Sequence, residues 1–594
     1  MSHTVNPVSA AATAPPTAAT ESKVGTGRVW FRLARKALTL REGQLFLLLA
    51  VVIGIFSGLS VVCFRIAIDW THFWLLGSAL QPAWQRLLIV PALAGLAVGI
   101  LVIRAFPRSG GSGVNQTKAA VYVFDGYIPF RTVIGKFIVC ALAIGSGQSL
   151  GPEDPSLQMG AGIASALGRG LRLSREKIRL IAPVGAAAGL AAAFNAPISA
   201  VLFVVEEVIG NWSGGVLGAI ILAAVSSVVT MRAFLGSEAL FRIPPFRLAN
   251  PLELLGYAVL GVVAGFISVG FLKFIAYVRP LMKRLPRWTH YLQPAVAGLM
   301  IGFVGIWLPQ VMGAGYPFID QALHDQYVWQ MLAILGAFKI LTTGISFVSG
   351  TPGGMFAPTL FIGAMIGGAV GGLEGKILHH MTGSVEAFAL VGMGTFFAGF
   401  LRTPITSVFM VVEVTGSYSV ILPVMISNMI AYLISRHYQR VPLFDLLSHQ
   451  DGMALPSIEA IREQPILRVE EAMRPGEEIT LRADDSLAEA LRQVSDAKDS
   501  AFLVRYPDGA WMAVGKEEIA RHTTGSEAPR VRDVPSRGPL PFLYPDQSLE
   551  EAMRLIGDWP IVPVLNRADL DCLEGILTLA DILHTYRRAA STSE

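Results

Sequence analysis

VGAAAGLAAAFNAPISAVLFVVE, residues 184–206, recurs without a gap as VGMGTFFAGFLRTPITSVFMVVE at residues 391–413. The valines, the first glycine, the proline and the final glutamate occupy matching positions in the two segments. A shorter pair lies upstream, since PSLQMGA at 155–161 matches PTLFIGA at 358–364. Two matches in the same order indicate a duplicated core. Duplicated halves with helices broken at corresponding positions are typical of transporters that hold their substrate between the halves.

The composition places most of this chain in lipid. Of its 594 residues, 53% are hydrophobic and 15% are charged, and the mean hydropathy is +0.54. Several apolar segments are long enough to cross a bilayer, whereas others are short or interrupted by glycine and proline. We therefore predict a polytopic α-helical membrane protein with an inverted internal repeat and broken helices, followed by a soluble α+β domain.

The charge and cysteine content argue against several other functions. A net charge of +4 without a basic, aromatic-rich run does not favour nucleic acid as a partner. The three cysteines are scattered and include no CxxC pair, so neither a disulfide framework nor a zinc site is expected.

Changes in composition divide the chain into four parts. Residues 1–28 are rich in Ala, Thr, Ser and Pro, which predicts a disordered tail without a cleaved export signal. Residues 29–447 form the predicted membrane domain, and residues 448–465 a linker. Residues 466–594 carry frequent charges and alternate amphipathic with β-rich segments, as expected of a soluble domain.

Basic residues flank the first and the last apolar segments. They are Arg32, Arg35, Lys36 and Arg41 before the first, and Arg436, His437 and Arg440 after the last. By the positive-inside rule, the N-terminus and the C-terminal domain both lie in the cytoplasm. We expect an integral protein of the plasma (inner) membrane, with the lipid bilayer as its surroundings.

Three glycine-rich breaks each lead into an apolar helix. They are GGSGVN at 110–115, GQSLGPEDP at 147–155 and GTPGGMFAP at 350–358. A helix N-terminus presents unpaired N–H groups and the positive end of a dipole, so several that converge would bind an anion. A single break would also serve as a simple turn between spans.

At these breaks the sequence resembles the CLC family of chloride channels and chloride/proton antiporters, whose motifs are GSGIP, GREGP and GxFxP. The first motif corresponds to residues 111–115, with Asn115 in place of proline. The second corresponds to 151–155, with proline for arginine and aspartate for glycine. The third is complete at 354–358. The resemblance covers about residues 40–447 and implies a homodimer with one chloride pathway in each subunit.

The resemblance also assigns roles in the pathway. It implies that the Ser112 hydroxyl and the backbone N–H groups of Met355 and Phe356 hold chloride, and that Glu153 is the external gate. A carboxylate in the bilayer costs ~2.5–3.5 kcal/mol on insertion scales, which also favours a functional role for Glu153. The neighbouring Asp154 either interacts with Glu153 or faces water at the mouth.

Three further positions follow from the same resemblance. Glu207 corresponds to the internal proton relay of exchangers, although the pair Glu206 and Glu207 also reads as a solvated helix end. Lys136 corresponds to a lysine near the anion path, and a snorkelling lysine is the alternative. Phe444 stands where a tyrosine usually supplies a hydroxyl, so the central anion site lacks a hydrogen bond worth ~0.5–1.5 kcal/mol.

Residues 466–588 resemble two CBS motifs in tandem. The second contains DQSLEEAM at 546–553 and GILTLADI at 575–582. The resemblance implies that Thr578 and Asp581 contact the ribose and phosphates of ATP, ADP or AMP. The alternative is a structural dimerisation module without a ligand.

The sequence thus predicts chloride/proton antiport gated by Glu153, with CBS-domain regulation. A passive, voltage- or pH-gated chloride channel of the same family is the alternative, and Glu207 favours exchange. A magnesium transporter would need several converging oxygen ligands, and helix N-termini would repel the cation. An enzyme is not expected, because Ser112 has no evident histidine partner and no HExxH occurs. No metal or cofactor is required, apart from a possible adenine nucleotide.

Overall fold

The computed structural model describes residues 42–592, apart from 78–82, 211–213, 242, 244–252, 379–383, 460–466, 476–479, 496–499, 507–509, 523–529, 536–537 and 558. The predicted N-terminal tail therefore lies outside the described residues. The chain separates into two compact units, Met1–Arg462 and Glu463–Glu594.

The first unit is built from α-helices and contains no β-strand within its described residues. Its helices are α1 (Glu42–Leu76), α2 (Trp84–Ile100), α3 (Gly113–Tyr122), α4 (Phe130–Gly145), α5 (Glu153–Gly170), α6 (Arg175–Phe194), α7 (Pro197–Phe203), α8 (Gly214–Leu235), α9 (Glu253–Arg284), α10 (Thr289–Trp307), α11 (Tyr316–Ala322), α12 (Trp329–Val348), α13 (Phe356–Leu378), α14 (Val385–Leu401), α15 (Pro404–Thr415), α16 (Ile421–Tyr438) and α17 (Leu443–Gln450). Within the described ranges, eight helices are long and apolar enough to cross a membrane. The protein is an integral membrane protein.

Glycines at matching positions pack the helices of the two repeats in the same way. A β-carbon on Gly160 of α5 would lie 2.1 Å from the carbonyl oxygen of Gly185 on α6. In the second repeat, a β-carbon on Gly363 of α13 would lie 2.3 Å from the carbonyl oxygen of Gly392 on α14. Only glycine permits this approach, so both repeats depend on the same backbone contact.

The two repeats also break their helices in the same way. Asn195 (φ 57°) follows the last residue of α6, and Arg402 (φ 60°) follows the last residue of α14, both in the left-handed region. Two residues later, Pro197 and Pro404 begin α7 and α15 at a position where proline needs no N–H partner. Each break therefore leaves a helix N-terminus within the membrane domain.

The second unit contains two similar halves of strands and helices. Its elements are α18 (Val469–Ala472), β1 (Thr480–Arg482), α19 (Leu487–Ser495), β2 (Ala501–Arg505), β3 (Trp511–Gly515), α20 (Lys516–His522), α21 (Leu549–Ile556), β4 (Val562–Leu565), β5 (Leu573–Leu577) and α22 (Leu579–Thr592). Strand β2 pairs parallel with β1 and antiparallel with β3, while β4 and β5 form an antiparallel pair. Each half thus follows a helix, an antiparallel strand pair and a second helix.

Candidate anion pathway

The N-terminal ends of α5 and α13 lie next to each other in the membrane domain. The loops that precede them are joined by two backbone hydrogen bonds of 2.8 Å, in which Gly151 and Gly354 each donate to the other's carbonyl oxygen. This bridge fixes the GPEDP and GGMFAP breaks against each other. Two helix N-termini, one from each repeat, therefore point their unpaired N–H groups into one region.

Glu153 places its carboxylate at the N-terminus of α13. The side chain is fully buried, and Oε2 accepts a hydrogen bond of 3.3 Å from the backbone N–H of Ala357. Oε1 has no hydrogen-bond partner among the described residues. A β-carbon at Gly151 would lie 2.4 Å from Oε2, so this glycine makes room for the carboxylate. Glu153 thus occupies a position suited to an anion, next to the backbone of Met355 and Phe356.

Asp154 turns its carboxylate toward a different helix. Oδ1 accepts a hydrogen bond of 2.6 Å from the backbone N–H of Val114 and lies 3.5 Å from the hydroxyl oxygen of Ser112. The side chain is buried, with 2% of the residue exposed, so it does not face water at the mouth. Adjacent acids on α5 therefore reach two separate helix N-termini.

Asn115 connects the first motif to the C-terminal end of the membrane domain. Its Nδ2 donates to the carbonyl oxygen of Phe444 at 2.9 Å and to the hydroxyl of Ser448 at 3.0 Å. A proline at this position has no such donor, so the departure from the family motif creates a new connection between α3 and α17.

Phenylalanine rings fill the space beside this connection. The Phe444 ring centroid lies 6.2 Å from that of Phe203, which in turn lies 4.9 Å from that of Phe356. Phe356 directly precedes Ala357, whose N–H bonds Glu153. Phe444 therefore adds an apolar face where the family pattern has a hydroxyl.

Lys136 supports the loop that leads into α3. Its side chain is fully buried, and Nζ donates a 2.7 Å hydrogen bond to the carbonyl oxygen of Gly111. This geometry is that of a buried lysine beside the Ser112 loop, and it differs from a snorkelling lysine whose ammonium reaches water.

Glu207 lies in a buried cluster of three charges. Nζ of Lys118 is 2.8 Å from Oε1 of Glu207 and 3.1 Å from Oδ1 of Asp445. Lys118 is wholly buried, and both acids are nearly so. The cluster holds one cation and two carboxylates, so its net charge is −1 when both acids are ionised. A net charge in a buried site is costly, and one proton would neutralise it. Sequence reasoning missed Lys118 and Asp445, although a lysine inside a membrane domain is itself a signal for a buried acid partner.

Glu206 and Glu413, which end the matching segments of the repeat, make contacts of a different kind from those of Glu207. Glu206 accepts hydrogen bonds from the N–H and hydroxyl of Thr406 at the start of α15, at 2.8 and 2.5 Å. Glu413 accepts from the N–H and hydroxyl of Ser199 at the start of α7, at 2.7 and 2.6 Å. Each repeat therefore caps the broken helix of the other, and Glu206 is not a solvated helix end.

A comparison with known protein families identifies the membrane domain. The family model described as voltage gated chloride channel matches residues 94–436, more than half of the chain. The chain belongs to this family, the CLC proteins. A CBS domain model matches residues 531–588, which include the second predicted CBS motif. The predicted family and its C-terminal CBS region are confirmed.

Relatives in several bacteria resemble this CLC protein over most of their length. A putative chloride channel protein ClcB-like from Ralstonia nicotianae is 33% identical over 402 residues, covering 65% of this chain and 92% of the relative. An H(+)/Cl(-) exchange transporter ClcA from Vibrio campbellii is 31% identical over 421 residues, covering 68% of this chain and 89% of the relative.

Solved structures confirm the CLC fold that the resemblance of the three motifs implied. A slow cyanobacterial Cl-/H+ antiporter superposes with a TM-score of 0.63 at 24% identity, covering 69% of this chain and 98% of that structure. A eukaryotic CLC transporter superposes with a TM-score of 0.60 at 18% identity, covering 90% of this chain and 97% of that structure.

In this CLC protein, a cavity of about 690 Å³ lies beside the first of the three motifs. Ser112, Asn115 and Thr351 line it, together with four basic residues. These are Arg108, Arg279, Lys283 and His290. Asp451 pairs with Arg279 at 2.8 Å and also with Lys283, so part of the positive charge is balanced. The remaining basic character suits an anion vestibule.

The two residues predicted to bind nucleotide contact each other at the start of α22. Oδ2 of Asp581 accepts hydrogen bonds from the N–H and the hydroxyl of Thr578, at 3.0 and 2.6 Å. Oδ1 of Asp581 lies 2.8 Å from Nε of Arg474. Asp581 is therefore oriented by its own helix and by an arginine from the beginning of the unit.

Proposed function

We propose that this protein exchanges chloride for protons across the plasma (inner) membrane, with Glu153 as the external gate and Glu207 as the internal proton site. The observation that carries the proposal is the buried Glu153 carboxylate at the N-terminus of α13. A carboxylate that occupies an anion position must leave before chloride can pass, and protonation removes the charge that holds it there.

The cluster around Glu207 supports exchange over passive conduction. Two acids share one lysine in a buried site, so the cluster can accept a proton without a change of partners. A passive chloride channel has no use for a buried inner acid. The name of the Vibrio campbellii relative, H(+)/Cl(-) exchange transporter, also supports exchange.

Chloride enters from the cytoplasmic side through the basic cavity that Ser112 lines. The N–H groups of Met355 and Phe356 contribute to the anion site, and Lys136 holds the Ser112 loop in position. The N-terminus and the CBS domain lie in the cytoplasm, by the positive-inside rule. The protein works as a homodimer with one pathway in each subunit, and its activity is transport rather than catalysis.

The test is a reversal potential measured on purified protein in lipid bilayers under opposed chloride and pH gradients. Exchange is expected to move the reversal potential away from the chloride Nernst value whenever a pH gradient is imposed. A wild-type protein that reverses at the chloride value and ignores the pH gradient would be a channel.

For the CBS domain, we propose that an adenine nucleotide binds at Thr578 and Asp581. Carboxylate and hydroxyl groups at a helix start suit ribose and phosphate contacts, and Arg474 supplies a positive charge beside them. We expect ATP, ADP or AMP to release heat on binding to the full-length protein, and Asp581→Ala to weaken that binding about tenfold or more, through loss of a charged hydrogen bond.

A matched control for this experiment is Asp546→Ala. Asp546 is also an aspartate paired with an arginine in the same unit, since its Oδ1 lies 2.7 Å from Nε of Arg567. This change is expected to leave nucleotide binding unaltered. Calorimetry that detects no heat with any of the three nucleotides would leave the domain with a structural role in dimerisation.

A further inference from the structure

We propose that Asp154 is a second gating carboxylate, which occupies the Ser112 anion site and must be displaced before chloride binds there. The inference rests on the proposed anion pathway and adds a competitor at its inner site. It starts from the contacts of Asp154, whose Oδ1 lies 2.6 Å from the N–H of Val114 and 3.5 Å from the Ser112 hydroxyl. These groups form the N-terminus of α3, where the anion is expected.

The contact of Asp154 with Ser112, a residue that lines the cavity, distinguishes it from an ordinary helix cap. Ser112 is the residue that precedes α3, yet its own side chain makes no capping hydrogen bond. The capping oxygen comes instead from another helix, α5. Ser112 and Asn115 line the basic cavity, so an anion that enters it meets the Ser112 hydroxyl, one of the two donors that Asp154 contacts.

The two carboxylates in the first turn of α5 contact the N-termini of two different helices. Glu153 bonds the N-terminus of α13, and Asp154 bonds the N-terminus of α3. The Gly151 and Gly354 bridge fixes the start of α5 against α13, and a β-carbon at Gly354 would lie 2.8 Å from the β-carbon of Asp154. This packing fixes the backbone from which both side chains project and leaves the carboxylates themselves able to move. In the present arrangement they occupy two separate points of the proposed pathway.

A chloride ion and the Asp154 carboxylate cannot accept the Val114 N–H at the same time. The apparent affinity for chloride is therefore reduced by the fraction of molecules in which Asp154 has left the site. Lys136 bonds the Gly111 carbonyl and remains in place in either state, so its charge supports whichever anion is bound. Neutralising or removing Asp154 should release the site to chloride.

The experiment measures chloride binding to the purified full-length protein by calorimetry, together with chloride flux from proteoliposomes. Asp154→Asn keeps the shape and removes the charge, whereas Asp154→Gly removes the side chain and restores the glycine of the family motif. Both variants are expected to bind chloride about tenfold or more tightly than the wild type, with the glycine variant at least as tight as the asparagine variant.

The matched control is Asp125→Asn. Asp125 is an exposed aspartate with a φ of 50°, a conformation that asparagine also accepts, so this change removes one negative charge without strain. It is expected to leave chloride affinity at the wild-type value. If Asp154→Asn does not fold, Asp154→Gly decides the question alone.

Unchanged chloride affinity in both Asp154 variants, in protein that still moves chloride, would overturn the inference and reduce Asp154 to a structural cap of α3. A different outcome is that the Asp154 variants bind chloride more tightly while the wild-type protein moves no chloride. That result would support the displacement of Asp154 and overturn the exchange function. The binding measurement does not depend on proton coupling, so the two proposals fail separately.

Discussion

Replacing Glu153 with glutamine is expected to abolish proton coupling completely while chloride flux stays within about tenfold of the wild-type rate. The glutamine has the shape of the protonated glutamate and can still approach the Ala357 N–H, which Glu153 reaches at 3.3 Å. It carries no charge, so the positive end of α13 no longer holds it against chloride. In bilayers, the variant should reverse at the chloride Nernst value at every imposed pH gradient.

The control for this variant is Glu176→Gln. Glu176 is an exposed glutamate in the first turn of α6, so its replacement removes the same charge away from the pathway. Coupling should persist in this protein. Complete loss of chloride flux in a folded Glu153→Gln protein would remove Glu153 from the gating role.

Replacing Glu207 with glutamine should also abolish proton coupling, for a different reason. Chloride binding and flux should remain, because Glu153 and the helix N-termini are untouched. The inner end of the proton path loses its titratable group, so protons no longer reach the gate. Lys118 keeps its contact with Asp445 at 3.1 Å, and the protein should fold with little loss of stability. A reversal potential at the chloride value is the measurement.

Asp445→Asn is the matched comparison, because it removes the other acid from the same lysine. Lys118 then remains paired with Glu207 at 2.8 Å, and coupling is expected to persist. Equal loss of coupling in both variants would assign the proton site to the cluster as a whole and not to Glu207. Lys118→Met removes the buried cation that lies between these two acids and should cost about 3–5 kcal/mol of unfolding free energy, as measured by denaturation of the purified protein.

The fold was accessible from the sequence because its main determinants are local and occur twice. The repeat at 184–206 and 391–413 predicted the duplicated core, and the same glycines pack both repeats in the structure. The helix starts after the glycine-rich breaks also followed from the sequence, since glycine and proline determine where a membrane helix begins.

The contacts within the pathway were less accessible, because they join residues far apart in the chain. Lys118 meets Glu207 across 89 positions and Asp445 across 327. A lysine in a membrane domain indicates a buried acid partner, but no local pattern identifies which acids it meets, since Glu207 and Asp445 lie in other segments. The direction of the Asp154 side chain depends likewise on how α5 packs against α3, which local patterns do not specify.

The reciprocal caps of α7 and α15 have a consequence for how the protein is made. Glu206 is synthesised 200 residues before Thr406, the residue whose N–H and hydroxyl satisfy its carboxylate. Until the second repeat has been synthesised, Glu206 lacks its contacts with Thr406. The N–H of Ser199 at the start of α7 likewise lacks its contact with Glu413. Both caps can therefore form only after translation has passed Glu413.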